Sequence, residues 1–157
     1  MYVLKQKFQP QDFLGYLVAQ AMKCTSSLLI QRFKEAGYDI TRPQWVILAK
    51  SYHFEEVKLL QGDVVEMMMG NKTGVTRAVD DLVKRGLLTR EVDEFDRRNR
   101  LLTITDKGRE MVPKLMVCVQ KTIEDATAEI DEEALNVTKK VLMKMIDNIN
   151  DINKKDE

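Results

Sequence analysis

Apolar residues recur every three or four positions along much of the chain, which is the spacing that predicts amphipathic helices. The first such stretch covers residues 12–36 and is followed by Gly37, a residue type that commonly ends helices. A second helix is predicted over residues 41–53, because Thr41-Arg42-Pro43-Gln44 has the spacing of a capping box with proline in the first turn. Its inward side is predicted to hold Trp45, Val46, Leu48, Ala49 and Tyr52.

The middle of the chain predicts two helices joined by a tight turn. Residues 62–68 form the short first helix, Gly70 and Asn71 form the turn, and residues 72–85 form the second helix, which ends at Gly86. The buried stripe of this second helix is predicted to be Val75, Ala78, Val79, Leu82 and Val83. Two short strands follow over residues 87–92 and 100–105, and the polar loop between them makes a hairpin with a charged tip.

Two long helices complete the predicted order. The first begins after Thr105 and is expected to kink or break at Pro113, and the second opens at Asp131 and carries an apolar seam to residue 152. Such a seam needs something to cover it. The predicted fold is mainly α with a small antiparallel β-hairpin, and the series helix, turn, helix, hairpin is the arrangement of a winged helix-turn-helix.

Composition bounds the class of protein. The chain has 157 residues, of which 44% are hydrophobic, so a single domain over residues 1–157 is expected. The formal net charge is zero, and any indication of a nucleic-acid partner therefore has to be local. The first ten residues do not form a secretion signal and no apolar run approaches the roughly 18 residues of a membrane span, so we expect a cytoplasmic protein.

The residues that carry chemistry do not indicate an enzyme. The sequence lacks the GxSxG, P-loop and HExxH motifs, and its one histidine, His53, cannot form a site built on several imidazoles. Cys24 and Cys118 lie far apart in apolar helical patterns, so each is expected to be a small buried hydrophobe, although a redox-sensing role stays open. We predict no cofactor, no metal and no catalytic residue.

Local charge favours DNA. Residues 72–90 hold five basic residues against two acidic ones, and the start of the second middle helix presents hydroxyl and cationic groups to base edges and phosphates. Arginines at the hairpin tip suit a narrow minor groove, where negative potential is concentrated. The predicted DNA contacts are Lys72, Thr73, Thr76 and Arg77 on the recognition helix and Arg97, Arg98 and Arg100 on the wing, with Asp96 and Arg90 as wing supports.

These motifs resemble the MarR family of winged-helix regulators. The resemblance rests on Thr76-Arg77 followed by Asp80 and Leu82, then Lys84-Arg85-Gly86-Leu87-Leu88, Arg90, the wing motif Asp96-Arg97-Arg98 and the return Leu102-Thr103-Ile104-Thr105-Asp106-Lys107-Gly108. One departure is Gly74, which stands where the family commonly has Ser, Thr or Pro. Without a side chain there, the backbone is expected to be able to approach a phosphate.

The resemblance implies a homodimer on a pseudo-palindromic duplex operator. It places the DNA-binding lobe at about residues 41–109 and the dimerisation helices at about residues 11–36 and 110–153. It also implies a repressor that a small aromatic or anionic effector releases. Tyr16, Tyr38 and Trp45 are candidates for the walls of that effector pocket, although core packing is the commoner fate of aromatic residues.

One alternative from a different class stays open. Winged-helix folds also serve as protein-interaction modules, so the chain could act through a protein partner or as an antirepressor. In that case the basic wing would bind an acidic surface, and DNA binding that weakens steeply with salt would be absent.

Overall fold

A computed structural model describes residue 9 and residues 13–53, 59–68 and 70–153. Most of the first ten residues, the predicted helix start at residue 12 and Met69 lie outside the described residues. The chain divides into two compact units, Met1–Ile123 and Glu124–Glu157, which are treated separately below. The predictions of one domain and of its lobe boundaries stay predictions.

The described residues form six helices and three strands, which confirms the predicted class. In chain order they are α1 (Leu14–Glu35), α2 (Arg42–His53), β1 (Leu59–Leu60), α3 (Gln61–Met67), α4 (Lys72–Lys84), β2 (Leu88–Val92), β3 (Arg100–Ile104), α5 (Asp106–Ala126) and α6 (Glu132–Asn153). Gly37 and Gly86 follow α1 and α4 with φ angles of +86° and +69°. This left-handed backbone is favourable for glycine and ends both helices where the sequence predicted. None of these helices is long and apolar enough to cross a membrane.

The buried face of α2 is rotated from the predicted one. Gln44, Ile47, Leu48 and Ser51 are buried, whereas Tyr52 remains 41% exposed. The capping-box spacing was informative, because the backbone N–H of Thr41 donates to Gln44 Oε1 at 2.8 Å. The prediction was wrong because it took the most apolar face as the buried one. The face that is buried in the structure includes a glutamine, Gln44.

The sheet contains one strand more than the predicted hairpin. Its order is β1-β3-β2, with both pairings antiparallel, and Leu59 and Leu60 lie opposite Leu102 and Leu101. A strand of two residues is too short to show an alternating pattern, so only the partner strand in the folded chain identifies it.

The core of the first unit lies where α2, α4, α5 and the sheet meet. Sixteen apolar side chains are buried there, namely Phe33, Ile40, Ile47, Leu48, Leu59, Val64, Val75, Ala78, Val79, Leu82, Leu87, Leu88, Leu102, Ile104, Val112 and Leu115. Phe33 is the one member of this set from α1. Most of α1 is therefore exposed in the single chain.

The last two helices begin at side-chain caps. Thr105 Oγ1 accepts the N–H of Gly108 at 3.1 Å in front of α5, and Asp131 Oδ1 accepts the N–H of Ala134 at 2.8 Å in front of α6. The predicted break at Pro113 does not occur, because α5 continues through it with Val112 and Leu115 buried on its inner side. No residue of α6 is buried.

Candidate nucleic-acid interface

The tight turn before α4 sets the direction of that helix. Gly70 has a φ of +75°, and Asn71 then caps α4 by accepting the N–H of Gly74 on its Oδ1 at 2.9 Å. A Cβ on Gly74 would lie 2.6 Å from Asn71 Nδ2, so the space beside this glycine is occupied by the capping amide. The glycine thus makes room for the cap, and the expected approach of a phosphate at this position stays a prediction.

Three of the four predicted recognition residues lie on the exposed face of α4. Lys72, Thr73 and Arg77 are exposed, while the opposite stripe of the helix is buried in the core. Thr76 is partly buried, and its Oγ1 accepts the amide Nε2 of Gln61 at 3.2 Å. Thr76 thus joins α4 to α3 at the edge of the exposed face.

An ion pair joins the recognition helix to the wing. Arg90 on β2 lies 2.6 Å from Asp80 on α4, measured from Nη1 to Oδ1. This contact gives the predicted wing support, Arg90, a specific partner. It orients β2 relative to α4, although a partly exposed pair of this kind adds little to stability.

A second polar contact joins α4 to the start of α2, and sequence reasoning missed it. Gln44 is only 7% exposed and donates its Nε2 to Asp81 Oδ2 at 2.7 Å. Arg85 donates to the same carboxylate oxygen at 3.3 Å and to the carbonyl of Asp39 at 2.7 Å. Because Gln44 and Asp81 are 37 positions apart, the sequence offered no signal for this pair.

Asp96 and Arg98 form a forked ion pair at the tip of the wing. Asp96 Oδ1 accepts both the backbone N–H and the Nε of Arg98, at 3.0 and 3.1 Å, and Asp96 Oδ2 accepts Nη2 at 3.0 Å. The side-chain hydrogen bond from Arg98, followed by its backbone N–H, lowers the pKa of the Asp96 carboxyl, and Asp96 in turn raises the pKa of Arg98. Arg98 nevertheless remains 91% exposed. Its charge is held in a defined direction while facing solvent.

The base of the wing loop is closed by hydrogen bonds. Asp93 is 7% exposed, donates its backbone N–H to the carbonyl of Asn99 at 3.2 Å and accepts the N–H of Phe95 on Oδ1 at 2.8 Å. Arg100 donates from Nη1 to the carbonyl of Arg97 at 2.8 Å. Arg100 therefore braces the loop as well as adding positive charge to it.

A cleft of about 350 Å³ brings the two basic regions together. It lies between the helix-turn-helix and the wing and is lined by Gln61, Gly62, Val65, Lys72, Arg98, Asn99 and Arg100. Lys72 from the start of α4 and two wing arginines thus share one concave surface. Such a surface suits an anionic ligand that extends beyond the cleft.

The three aromatic residues proposed for an effector pocket are not brought together. Trp45 lines a cavity of about 480 Å³ with Val46, Ala49, Lys50, Tyr52, His53, Val112 and Met116, but Tyr16 and Tyr38 do not line it. Tyr38 packs against the core, and Tyr16 is 41% exposed with its hydroxyl accepting Gln20 Nε2 at 3.2 Å. Lys50, Tyr52 and His53 were missed, because the rotation of α2 that brings them to the cavity was not predicted.

The two cysteines were both expected to be buried, and the structure agrees with this only in part. Cys24 is exposed, so it is not the buried small residue that its helical spacing suggested, whereas Cys118 is partly buried with its Sγ 3.9 Å from the carbonyl of Arg32. Within the described residues, no group of three or more His, Cys, Asp or Glu side chains could hold a metal ion.

The chain is similar to known transcriptional regulators in sequence and in fold. The model of the MarR family matches residues 38–99, which include the turn, α4 and most of the wing. The HTH-type transcriptional regulator YdgJ of Bacillus subtilis is 27% identical over 118 residues, covering 75% of this chain and 71% of YdgJ. Six helices, the turn and the wing agree with the fold of that family.

Two solved structures show the same fold at low sequence identity. The MepR–DNA complex from S. aureus superposes with a TM-score of 0.75 at 21% identity, covering 87% of this chain and 98% of MepR. BpsR from Bordetella bronchiseptica, whose DNA binding is regulated by 6-hydroxynicotinic acid, superposes with a TM-score of 0.76 at 21% identity, covering 90% of this chain and 99% of BpsR.

Proposed function

We propose that this chain, which is similar to the MarR family of winged-helix transcriptional regulators, is itself such a regulator, and that two copies of it bind one pseudo-palindromic duplex and repress transcription. In each copy α4 enters the major groove and the wing follows the adjacent minor groove. A small aromatic acid releases the protein from DNA.

The cleft that Lys72 shares with Arg98 and Arg100 is the observation that carries this proposal. The chain has no net charge, so a cluster of cations on one concave surface is a local feature and not a consequence of an overall basic composition. A duplex offers two lines of phosphates with a groove between them, which matches cations on both sides of a cleft. The Asp96 fork keeps Arg98 directed outward, and an arginine held in this way loses less entropy on binding.

The exposed face of α4 supplies the sequence reading. Arg77 lies in the second turn of the helix and its guanidinium can donate two hydrogen bonds to a guanine in the major groove. Lys72 and Thr73 at the helix start reach phosphates or neighbouring bases. Since Thr76 is bonded to Gln61, we assign it to positioning as well as to contact.

Dimerisation would cover apolar surface that the single chain leaves exposed. On α1 the exposed residues are Leu14, Leu17, Val18 and Met22, and on α6 they are Val137, Val141, Met143, Ile146, Ile149 and Ile152. A row of this length on a helix is more than scattered surface hydrophobes, and in this family's arrangement a second copy supplies the cover. Two linked DNA-binding surfaces then read two half-sites about one helical turn apart.

The Trp45 cavity is the proposed effector site. Its walls combine apolar and aromatic side chains with the ammonium of Lys50, which suits an aromatic ring that carries a carboxylate. The hydroxylated aromatic acid that regulates BpsR belongs to the same chemical class. Trp45 also packs edge to face against Phe33 at a ring-centre distance of 5.6 Å, so a ligand that moves Trp45 would disturb α1 as well as α2.

Selection of bound sequences from a random duplex pool tests the DNA proposal. The selected duplex is then titrated at two salt concentrations, and the expected result is a two-fold-symmetric site whose affinity falls steeply with salt. A folded protein that recovers no sequence would contradict the proposal and favour action through a protein partner.

Fluorescence of Trp45, the one tryptophan of the chain, tests the effector proposal without a label. Titration with 6-hydroxynicotinic acid should change its emission, and saturating duplex should weaken that ligand by the same factor by which the ligand weakens the duplex. Lys50→Met is the matched variant, since it keeps a long side chain while removing the charge. An unchanged ligand affinity in this variant would contradict the role of Lys50.

A further inference from the structure

Phe95 at the wing tip is 87% exposed, more than any other large apolar side chain of the described residues. A phenyl ring is usually buried, because covering it is worth about 1.5–3 kcal/mol. Phe95 is in the loop between β2 and β3, where the neighbouring positions are charged.

Hydrogen bonds hold the backbone on both sides of Phe95. Its N–H donates to the carboxylate of Asp93, a residue that is itself buried and closes the base of the loop through its bond to Asn99. On the other side of Phe95, Asp96 is held by its three hydrogen bonds with Arg98. Hydrogen bonds therefore hold the chain on both sides of Phe95, so the backbone from which the ring projects is constrained relative to Arg98.

We propose that Phe95 enters the minor groove together with Arg98 and packs its ring against the deoxyribose edges that form the groove walls. The minor groove is about 6 Å wide and 7.5 Å deep, enough for one aromatic ring beside a guanidinium. Apolar side chains inserted at this place by other DNA-binding proteins contact sugars and widen or kink the groove. The inference rests on the proposed DNA-binding function and adds an apolar contact to a wing whose predicted contacts are all cationic.

The charges around the ring favour DNA over other occupants. Arg97 and Arg98 are exposed after the ring in sequence and Glu94 is exposed before it, while Asp96 is held in its ion pair with Arg98. The tip therefore combines an apolar ring with two arginines that phosphates can attract. A second copy of the wing would bring acidic and basic side chains in equal number, three of each over residues 93–100, and so no continuous line of negative charge. A duplex instead has anionic edges and apolar sugar faces within a few ångströms of each other, so it can satisfy both parts of the tip.

The salt dependence of binding separates an apolar interaction from a charged one. Phe95→Ala should weaken binding to a fluorescein-labelled 30-base-pair duplex about tenfold at every salt concentration, because packing of the ring against sugars releases no counterions. Phe95→Leu should recover much of the affinity. Arg97→Ala should instead lower the slope of log affinity against log salt by about 0.9 for each phosphate that the arginine neutralises in the parent protein.

Two controls separate the ring from the hairpin and from the proposed function. Val92→Ala removes a half-exposed apolar side chain from the same hairpin, away from the tip, and should leave affinity near that of the parent. Hydroxyl-radical cleavage reports on minor-groove sugars directly, and protection under the wing should decrease in Phe95→Ala. Parent-like affinity and protection in Phe95→Ala would overturn the inference, whereas a parent protein that binds no duplex would overturn the proposed function itself.

Discussion

Helices α4 and α6 show the same kind of sequence pattern with opposite outcomes. Both have an apolar stripe at helical spacing and a side-chain cap at the amino-terminal end. In α4 the stripe is covered by the chain itself, and Val75, Val79 and Leu82 have no exposed surface. In α6 no residue is buried, and Ile146 and Ile149 are 57% and 55% exposed. An apolar stripe therefore predicts that a helix face needs cover, without showing whether the same chain provides it.

An aspartate in the apolar stripe of α4 should affect folding, whereas an aspartate in the stripe of α6 should affect association. These are the largest effects that we expect. Val79→Asp places an unpaired charge in the core and should destabilise folding by about 4 kcal/mol. Ile146→Asp should leave the helical content intact but dissociate the proposed dimer, weakening binding to the selected duplex roughly a hundredfold because the two proposed DNA-binding surfaces are no longer linked. Circular dichroism, thermal unfolding and sedimentation velocity measure these outcomes.

Unfolding of the Ile146→Asp protein would contradict this difference between α4 and α6, because it would indicate that the α6 stripe is covered within its own chain. A variant that sediments like the parent at micromolar concentration would contradict it as well. Lys144→Gln on the same helix is the control for a change of charge alone, since it also lowers the net charge by one.

Within the DNA-binding region, the recognition helix and the wing should also separate. Arg77→Ala should cost about 1–3 kcal/mol on the selected duplex and relax the preference at particular base pairs. Arg98→Ala should weaken binding to all sequences alike and reduce the salt dependence. Competition titrations with single-base variants of the selected duplex distinguish these patterns, and parent-like binding by both variants would show that the assigned surface is wrong.

The cap of α4 offers a smaller and more local test. Asn71→Ala should destabilise the fold by about 1 kcal/mol, the usual value of an amino-terminal cap. Gly74→Ala should cost a similar amount, because its Cβ would displace the Asn71 amide. The two changes disrupt one interaction, so the double variant should be destabilised by much less than the sum of the single effects. Additive effects in urea unfolding would mean that the two residues act independently.

The smallest expected effect is on the titration of Asp96. Arg98 favours the ionised carboxylate and lowers its pKa, so the ion pair is fully formed above the ordinary carboxyl range and is disrupted as the pH falls through the lowered pKa. In Arg98→Ala the pKa of Asp96 should rise toward its ordinary value. Carbon-13 NMR of the carboxyl group measures this change, and an unchanged pKa in the variant would exclude Arg98 as its cause.

Much of the interface could be predicted because its signals are local. The glycines that end helices, the Asn71 turn and the arginines of the loop each depend on a few adjacent residues. Strand β1, the rotation of α2 and the Gln44–Asp81 hydrogen bond were missed, since each depends on a partner far along the chain. The full lining of the proposed effector cavity could not be predicted for the same reason, because its walls come from α2 and α5.

The sequence by itself determined where the helices and the hairpin lie, which residues could carry positive charge to a nucleic acid, and that the apolar seam of the last helix needed cover. These properties follow from backbone preferences and periodicity, which act over one or two helical turns. Only the tertiary structure decided that Lys72, Arg98 and Arg100 share one cleft, that Trp45 and Lys50 share one cavity, and that Phe95 is left exposed. Packing brings together residues that are distant in sequence. The arrangement that buries the most apolar surface while leaving buried polar groups hydrogen-bonded is therefore a property of the whole chain.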